Sequence, residues 1–129
     1  MQTEKTLNGE CLCGEVSWKM NGPYEFFGMC QCSRCRKVTG AAFATNLFVK
    51  PEQFVWLSGE NNRGEFALPS PNTFGNAFCH NCGSRVPRQT SRGRMLIPLG
   101  STIESPIIKP TLACPEDHTD WFTRLDEII

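Results

Sequence analysis

The sequence lacks any run of about 18 apolar residues, the length a membrane-crossing helix needs, so we expect no membrane span. Residues 1–6 lack the basic and then apolar pattern of a secretory signal peptide. We therefore expect a cytoplasmic protein, in which cysteines stay reduced. Excess charge is also absent, because 13 basic residues balance 13 acidic ones. A chain without net positive charge binds duplex DNA poorly, so we expect no nucleic-acid partner.

The chain also lacks internal repeats, linkers and long segments with the 3.6-residue period of an amphipathic helix. Short apolar or alternating runs recur between turns that contain glycine and proline, a pattern typical of a mainly β protein. The whole chain, residues 1–129, has the length of a single domain with one core. Only Ser33–Thr39 and Asp117–Leu125 are predicted as short helices. The predicted strands are 14–20, 42–49, 53–57, 64–68, 72–78, 85–89, 95–97 and 107–113.

Eight cysteines, by contrast, form close groups along the chain. An even count in a small protein can indicate disulfides, but a disulfide framework needs a secreted chain. Cysteines as near in sequence as Cys11 and Cys13 also bridge each other poorly. Grouped and reduced cysteines instead favour metal binding. The groups are Cys11-x-Cys13, Cys30-x-Cys32-x-x-Cys35, Cys79-x-x-Cys82 and the single Cys114.

The segment from Cys30 to Cys35 is the candidate working site. Side chains alternate along an extended segment, so Cys30 and Cys32 share a face. A turn through residues 33–34 then brings Cys35 to the same point. Thiolates are typical zinc ligands, and three of them leave a fourth coordination position open. We therefore predict a catalytic zinc site at Cys30, Cys32 and Cys35.

The remaining groups fit a closed structural site. Residues 79–83 (Cys-His-Asn-Cys-Gly) have the form of a zinc knuckle, in which a glycine permits the tight turn. Together with Cys11 and Cys13, the knuckle supplies four thiolates. Such a site would join the N-terminal strand to a distant segment and would contribute folding free energy directly.

The roles of three further residues stay open. Cys114 either joins Cys30, Cys32 and Cys35 as a fourth ligand, which would close that site, or is a buried free thiol. His80 lies inside the knuckle, where side chains usually face solvent. His118 lies in an acidic stretch, residues 115–118, and is either an acid–base group or a solvated loop histidine.

Basic residues adjoin both cysteine-rich regions. A zinc ion with three thiolates carries a net negative charge, and an incoming thiolate increases it, so nearby cations would offset that charge. The same cations can hold the carboxylates of a small ligand through forked hydrogen bonds. The predicted ligand contacts are Arg34, Arg36, Lys37 and Arg85, with Arg88 as a further candidate.

Three motifs in order carry a family resemblance. They are residues 11–16 (Cys-Leu-Cys-Gly-Glu-Val), residues 30–40 (Cys-Gln-Cys-Ser-Arg-Cys-Arg-Lys-Val-Thr-Gly) and residues 78–83 (Phe-Cys-His-Asn-Cys-Gly). In this order the chain, from residue 9 to about residue 122, resembles the glutathione-dependent formaldehyde-activating enzyme family, which includes relatives of centromere protein V. One departure is Gln31, at a position often occupied by His.

The resemblance implies a beta-tent fold of antiparallel sheets around a structural zinc. It implies that Cys11, Cys13, Cys79 and Cys82 hold that zinc and that Cys30, Cys32 and Cys35 hold a second, catalytic zinc. The named activity of the family joins formaldehyde to glutathione to give S-hydroxymethylglutathione, formally a carbon–sulfur lyase reaction. The expected function is therefore that of a zinc-dependent lyase acting on glutathione, or a similar thiol, and a small aldehyde adduct.

Two other classes of function are consistent with the residues. A non-catalytic zinc module that binds a protein partner would present a conspicuous exposed apolar patch. A nucleic-acid-binding module would use the arginines at positions 85, 88, 92 and 94, and its binding would depend strongly on salt.

Overall fold

Short strands joined by tight turns dominate the computed structural model, which describes residues 5–106 and 108–123. The mainly β fold expected from the alternating runs is confirmed. The strands are β1 Leu7–Glu10, β2 Ser17–Met20, β3 Phe27–Cys30, β4 Ala44–Val49, β5 Phe54–Ser58, β6 Arg63–Ala67, β7 Gly75–Cys79, β8 Arg85–Val86, β9 Arg88–Gln89, β10 Met95–Pro98 and β11 Pro110–Ala113. The helices are α1 Ser33–Thr39 and α2 Asp120–Thr123. In this part of the chain, no helix combines the length and apolar character needed to cross a bilayer.

The predicted elements differ from the observed ones at identifiable points. The predicted helix Ser33–Thr39 is confirmed at both ends. The predicted strand 85–89 is divided into β8 and β9, because Pro87 between them has no N–H to donate to a neighbouring strand. β1 and β3 are not predicted, since a glycine within each four-residue strand weakens the strand pattern. Ile107, the first residue of a predicted strand, and Leu125, the last residue of a predicted helix, lie outside the described residues.

The strands form three sheets, ordered β1-β2-β5, β11-β3-β4-β10-β9 and β6-β7-β8. Neighbouring strands are antiparallel, except that β11 runs parallel to β3. The long connection after β10 allows this parallel return. In the resulting register Ala113 pairs with Cys30, which places the end of β11 beside the candidate working site.

One hydrophobic core is shared by all three sheets. Trp18 of the first sheet, Leu47 and Ile97 of the second and Ala77 of the third are completely buried in it. Burial of a large apolar side chain contributes about 1.5–3 kcal/mol relative to leaving it exposed. A second, smaller buried cluster consists of Cys32, Cys35 and Ala44, so two predicted site cysteines are packed away from the main core.

Candidate metal centres

The four-cysteine cluster is formed where two hairpin turns meet. Cys11 and Cys13 lie in the turn between β1 and β2, whereas Cys79 and Cys82 lie at the turn between β7 and β8. All four sulfur atoms lie within 4.8 Å of one another. Cys11 Sγ is 3.6 Å from Cys13 Sγ, which is 3.8 Å from Cys79 Sγ. Tetrahedral zinc with Zn–S bonds of about 2.3 Å places its sulfurs about 3.8 Å apart, so this donor set fits zinc.

Both turns of this cluster end at a glycine with a positive φ. The N–H of Gly14 donates to the carbonyl of Cys11 at 3.0 Å, and the N–H of Gly83 donates to the carbonyl of Cys79 at 2.8 Å. Gly14 and Gly83 have φ values of 81° and 76°, in the left-handed region that glycine adopts without a steric penalty. The glycine after each cysteine pair therefore permits the turn that directs two sulfurs to one point.

Backbone N–H groups point at the sulfurs of this cluster. Val16 N–H donates to Cys11 Sγ at 3.3 Å, and Asn81 N–H donates to Cys79 Sγ at the same distance. Hydrogen bonds to the charged form of a group favour that form. These contacts therefore support the thiolate state that a metal ligand requires.

Cys11 and Cys82 of this cluster differ in burial and in the pKa of the thiol. Burial raises the pKa of Cys11 to about 11, although the backbone N–H of Val16 acts in the opposite direction. Hydrogen bonds with the hydroxyl and backbone of Ser84 lower the pKa of Cys82 to about 5. Ser84 Oγ lies 3.2 Å from Cys82 Sγ and also accepts the N–H of Leu12 at 3.1 Å. Ser84 thus connects the two hairpin turns.

The three-cysteine cluster lies where β3 passes into α1. Cys30 is the last residue of β3, Cys32 caps the N-terminus of α1, and Cys35 occupies the first turn of that helix. Their sulfurs lie within 4.8 Å of one another. The turn predicted through residues 33–34 is therefore the first turn of a helix, and it does bring Cys35 to the other two cysteines. Three thiolates at this spacing fit a zinc site with an open position.

The thiols of the three-cysteine cluster have different environments. Burial alone would raise the pKa of Cys32, but hydrogen bonds with the Cys35 N–H and with Cys30, Cys35 and Arg34 side chains lower it to about 7. The Cys35 N–H donates to Cys32 Sγ at 3.4 Å. Burial, together with its two cysteine neighbours, raises the pKa of Cys35. Three such sulfurs can share one point as thiolates only when positive charge is supplied, which is the role a metal ion fills.

A polar chain leads from Cys35 to a half-buried arginine. Asn46 Nδ2 lies 3.9 Å from Cys35 Sγ, and Asn46 Oδ1 accepts a hydrogen bond from Arg85 Nη1 at 2.9 Å. Arg85 Nε donates to Asn76 Oδ1, also at 2.9 Å. Burial lowers the pKa of Arg85, and the nearby sulfurs of Cys35 and Cys30 oppose that change. Arg85 therefore supplies positive charge to the cluster through Asn46, which is itself 6% exposed.

Gln31, between two of the cluster cysteines, is buried. Its N–H donates to the Ala113 carbonyl at 3.0 Å, and its carbonyl accepts the Arg36 Nε–H at 3.1 Å. The side-chain oxygen of Gln31 is also buried and has no hydrogen-bond partner among the described residues. Gln31 and Arg36 thus fix the segment that carries the cysteines, and one free acceptor is left beside it.

Cys114 lies at the rim of the three-cysteine cluster and packs against it. Its sulfur groups with carboxylates of Glu116 and Asp117, and it is not among the three sulfurs that share the 4.8 Å separation. Its φ of 51° is in the left-handed region, which is unusual for a residue other than glycine. Burial and the neighbouring Cys30 sulfur raise the pKa of Cys114, so the two thiols are close. Because the Cys114 sulfur is not within 4.8 Å of all three other sulfurs, the placement favours an open site at Cys30, Cys32 and Cys35 over the partition in which Cys114 closes it.

The other predicted site residues have separate positions. The Arg34 guanidinium lies 5.5 Å from the centre of the Phe74 ring, and Phe74 packs against the three-cysteine cluster. Lys37 is exposed on α1. His80 is exposed, and His118 is exposed with its Nδ1 3.2 Å from the Thr119 carbonyl.

Sequence reasoning missed Asn46, Asn76 and Phe74. Asn46 is a polar residue at a buried position of β4, where the other buried residues are Ala44, Leu47 and Val49. A polar side chain among inward-facing apolar residues is the signal that could have identified it. Asn76 and Phe74 carry no comparable signal, because their contacts depend on how β7 packs against the second sheet.

Comparison with known proteins places these clusters in context. A family model described as "Glutathione-dependent formaldehyde-activating enzyme" matches residues 6–118. No curated protein sequence matches the chain at a significant level. A crystal structure of a Rhodobacter sphaeroides protein is similar in fold, with a TM-score of 0.62 and 18% identity, covering 82% of this chain and 99% of that one. With a family match over most of its length, the chain belongs to the glutathione-dependent formaldehyde-activating enzyme family.

Proposed function

We propose that this protein joins glutathione, or a similar thiol, to formaldehyde or another small aldehyde in a zinc-dependent carbon–sulfur lyase-type reaction. The observation that carries the proposal is the convergence of Cys30, Cys32 and Cys35 on one point, where no fourth ligand atom of the described residues lies within 4.8 Å of all three sulfurs. Membership of the family supports the same substrate pair. The four-cysteine cluster would hold a structural zinc, and the three-cysteine cluster a catalytic zinc, giving two ions per chain.

The number of thiolates in each cluster determines whether that cluster can bind an external ligand. Four thiolates complete the tetrahedron that zinc prefers, so the four-cysteine cluster has no room for a substrate. Three thiolates leave one position for an external ligand. Zinc bound there would lower the pKa of an external thiol, so that the thiol is deprotonated near neutral pH.

The residues of the chain then have distinct tasks. Arg34 and Arg85 place positive charge beside a site whose sulfurs are negative, and Asn46 passes the influence of Arg85 to Cys35. Arg36 and Gln31 keep the ligand segment in place. Phe74 covers one side of the cysteines and restricts access of water from that side.

The covalent step is the addition of sulfur to a carbonyl group. A lone pair of the substrate sulfur forms a bond to the carbonyl carbon, while the π pair of the carbonyl moves to oxygen. That oxygen takes up a proton equivalent to the one that the thiol has released, so the atoms of thiol and aldehyde all appear in the hydroxymethyl thioether. The reverse sequence breaks the carbon–sulfur bond and releases the aldehyde.

The test is whether the protein accelerates this addition beyond its spontaneous rate. Exchange between ¹³C-formaldehyde and its glutathione adduct can be followed by exchange NMR with the zinc-loaded protein. We expect faster exchange with the unmodified chain and the spontaneous rate with Cys32→Ser. Cys114→Ser should keep the acceleration, because Cys114 is not one of the three converging sulfurs.

Two results would contradict the proposal. One is an exchange rate that the zinc-loaded protein does not change. The other is loss of acceleration in Cys114→Ser with full acceleration in Cys32→Ser, which would show that the reaction requires Cys114 and not Cys32.

A further inference from the structure

A cleft of about 370 Å³ opens beside the three-cysteine cluster. Its walls are the segment before β7 and the turn between β9 and β10. The cleft reaches the cluster through Arg34 and Phe74, since both line it and Phe74 packs directly on the cysteines. We call it the arginine cleft, and its polar lining includes Arg34, Arg88, Arg92, Asn72, Thr90 and Ser91.

Three guanidinium groups meet in this cleft without an acidic residue in its lining. Among the described residues, the ion pair that forms is that of Arg63 with Glu65, so Arg88 and Arg92 have no carboxylate partner there. Arg88 Nε is buried and has no hydrogen-bond acceptor in the described part of the chain. Like charges gathered in this way repel one another unless an anion joins them, so the cleft has the electrostatic character of an anion site.

The size and shape of the cleft suit a small molecule. Small-molecule sites commonly have volumes of about 300–1,000 Å³, and the arginine cleft lies within that range. A second cavity of about 310 Å³ shares Phe48, Thr90 and Arg92 with it and adds Arg94. The basic lining thus continues away from the three-cysteine cluster, and a ligand could extend along it.

Two arginines near the cysteines are engaged elsewhere. Arg36 Nε donates to the Gln31 carbonyl, and Arg85 uses Nε and Nη1 on two asparagine side chains. Arg88 and Arg92 instead line a space that a ligand can enter. Arginine forms paired, nearly parallel hydrogen bonds with a carboxylate, which is the geometry expected for recognition of such a group.

We propose that the arginine cleft binds the carboxylate-bearing part of a peptide-like thiol while its sulfur reaches Cys30, Cys32 and Cys35. Arg88 and Arg92 thereby select thiols whose carboxylates are distant from the sulfur. This inference rests on the proposed function, because the same thiol is the substrate of the proposed reaction.

The test separates carboxylate binding from chemistry at sulfur. S-methylglutathione keeps both carboxylates but has no free thiol, and cysteamine has a thiol but no carboxylate. Calorimetric titration should show S-methylglutathione binding to the unmodified protein at least tenfold more tightly than to Arg92→Ala. Arg92→Lys, which keeps the charge and loses the fork, should fall between them. Arg92 is exposed, so these variants should fold normally.

Lys19→Ala is the matched control, because it removes one cation from β2, a strand that does not line the cleft. It should bind S-methylglutathione as the unmodified protein does. In exchange NMR, Arg92→Ala should lower the acceleration with glutathione at least tenfold and leave the reaction of cysteamine unchanged.

Failure of the cleft and failure of the proposed function give different results. The proposal that the cleft binds carboxylates would be wrong if Arg92→Ala bound S-methylglutathione as tightly as the unmodified protein does. It would also be wrong if Arg92→Ala lowered the acceleration equally for glutathione and cysteamine. A protein that binds S-methylglutathione through Arg92 but accelerates no aldehyde addition would support carboxylate binding in the cleft and contradict the proposed reaction. If the unmodified protein did not bind S-methylglutathione, carboxylate binding in the cleft would also be contradicted.

Discussion

Replacing Arg85 by leucine should weaken the second zinc site while leaving the first intact. Arg85 donates to Asn46 and Asn76 at 2.9 Å each, and Asn46 contacts Cys35 Sγ at 3.9 Å. The variant removes both donors and a positive charge that reaches Cys35 through Asn46. Loss of a group that orients a metal ligand typically lowers metal affinity about 10–100-fold. This corresponds to about 1.4–2.7 kcal/mol of binding free energy.

The same variant should also lower the free energy of unfolding. Hydrogen bonds from a charged donor contribute about 1.5–3 kcal/mol each, and removal of a half-buried guanidinium offsets part of that loss. We therefore expect a net destabilisation of about 2 kcal/mol. Urea unfolding of the zinc-loaded protein would measure it, provided that zinc is in excess for both variants.

Competition for zinc with a chromophoric chelator would measure both affinities. The expected result is two classes of site, of which only the weaker changes in Arg85→Leu. Arg85→Lys should lie between the variant and the unmodified protein, because lysine keeps the charge but cannot reach both asparagines in a fork. Arg94→Leu, which removes an exposed cation from the turn between β9 and β10, should leave both sites unchanged. Equal weakening of both sites in Arg85→Leu, or none in either, would refute the reasoning.

Two further predictions concern folding. Cys79→Ser should abolish cooperative unfolding, because structural zinc contributes roughly 10–16 kcal/mol in small zinc domains and domain stability is about 5–15 kcal/mol. Cys35→Ser should still show a cooperative unfolding transition in circular dichroism. A transition that is kept in Cys79→Ser and lost in Cys35→Ser would contradict the assignment of the structural and catalytic sites. Glu104 should make stability depend on pH, because the N–H of Asn8 donates to it at 2.7 Å and lowers its pKa below the unfolded value. Its contribution is present above the unfolded pKa of about 4.3 and is lost as pH falls through the folded pKa. Glu104→Gln should therefore reduce the fall in melting temperature as the pH drops below about 5, and an unchanged pH dependence would show that this contact does not contribute.

The turns that gather the cysteines of each motif could be predicted from the sequence because they depend on local spacing, whereas the grouping of Cys11 and Cys13 with Cys79 and Cys82 is predicted by counting four thiolates. A glycine after each pair permits the two turns of the four-cysteine cluster, and Gly14 and Gly83 both adopt the left-handed conformation. The helix Ser33–Thr39 could be predicted for the same reason, since its boundaries are set by nearby residues: Cys32 at the N-terminal cap and Gly40 after the last turn.

Features that depend on distant packing could not be predicted in this way. The return of β11 alongside β3 brings Cys114 to the rim of the cluster, although nothing near Cys114 in sequence indicates that neighbour. Arg85 illustrates the same limit: its position after the knuckle suggests a ligand contact, yet its surroundings are set by Asn46, 39 residues away in sequence. The basic lining of the arginine cleft likewise arises from segments that meet only in the folded chain.

Metal analysis combined with glutathione titration tests the central claim most directly, namely that Cys30, Cys32 and Cys35 form an open zinc site. The unmodified protein should contain two zinc ions per chain and bind glutathione. Cys32→Ser should retain one zinc and bind glutathione no more tightly than it binds S-methylglutathione, because only the carboxylate contacts remain. A single zinc in the unmodified chain, with glutathione binding unchanged in Cys32→Ser, would contradict the account.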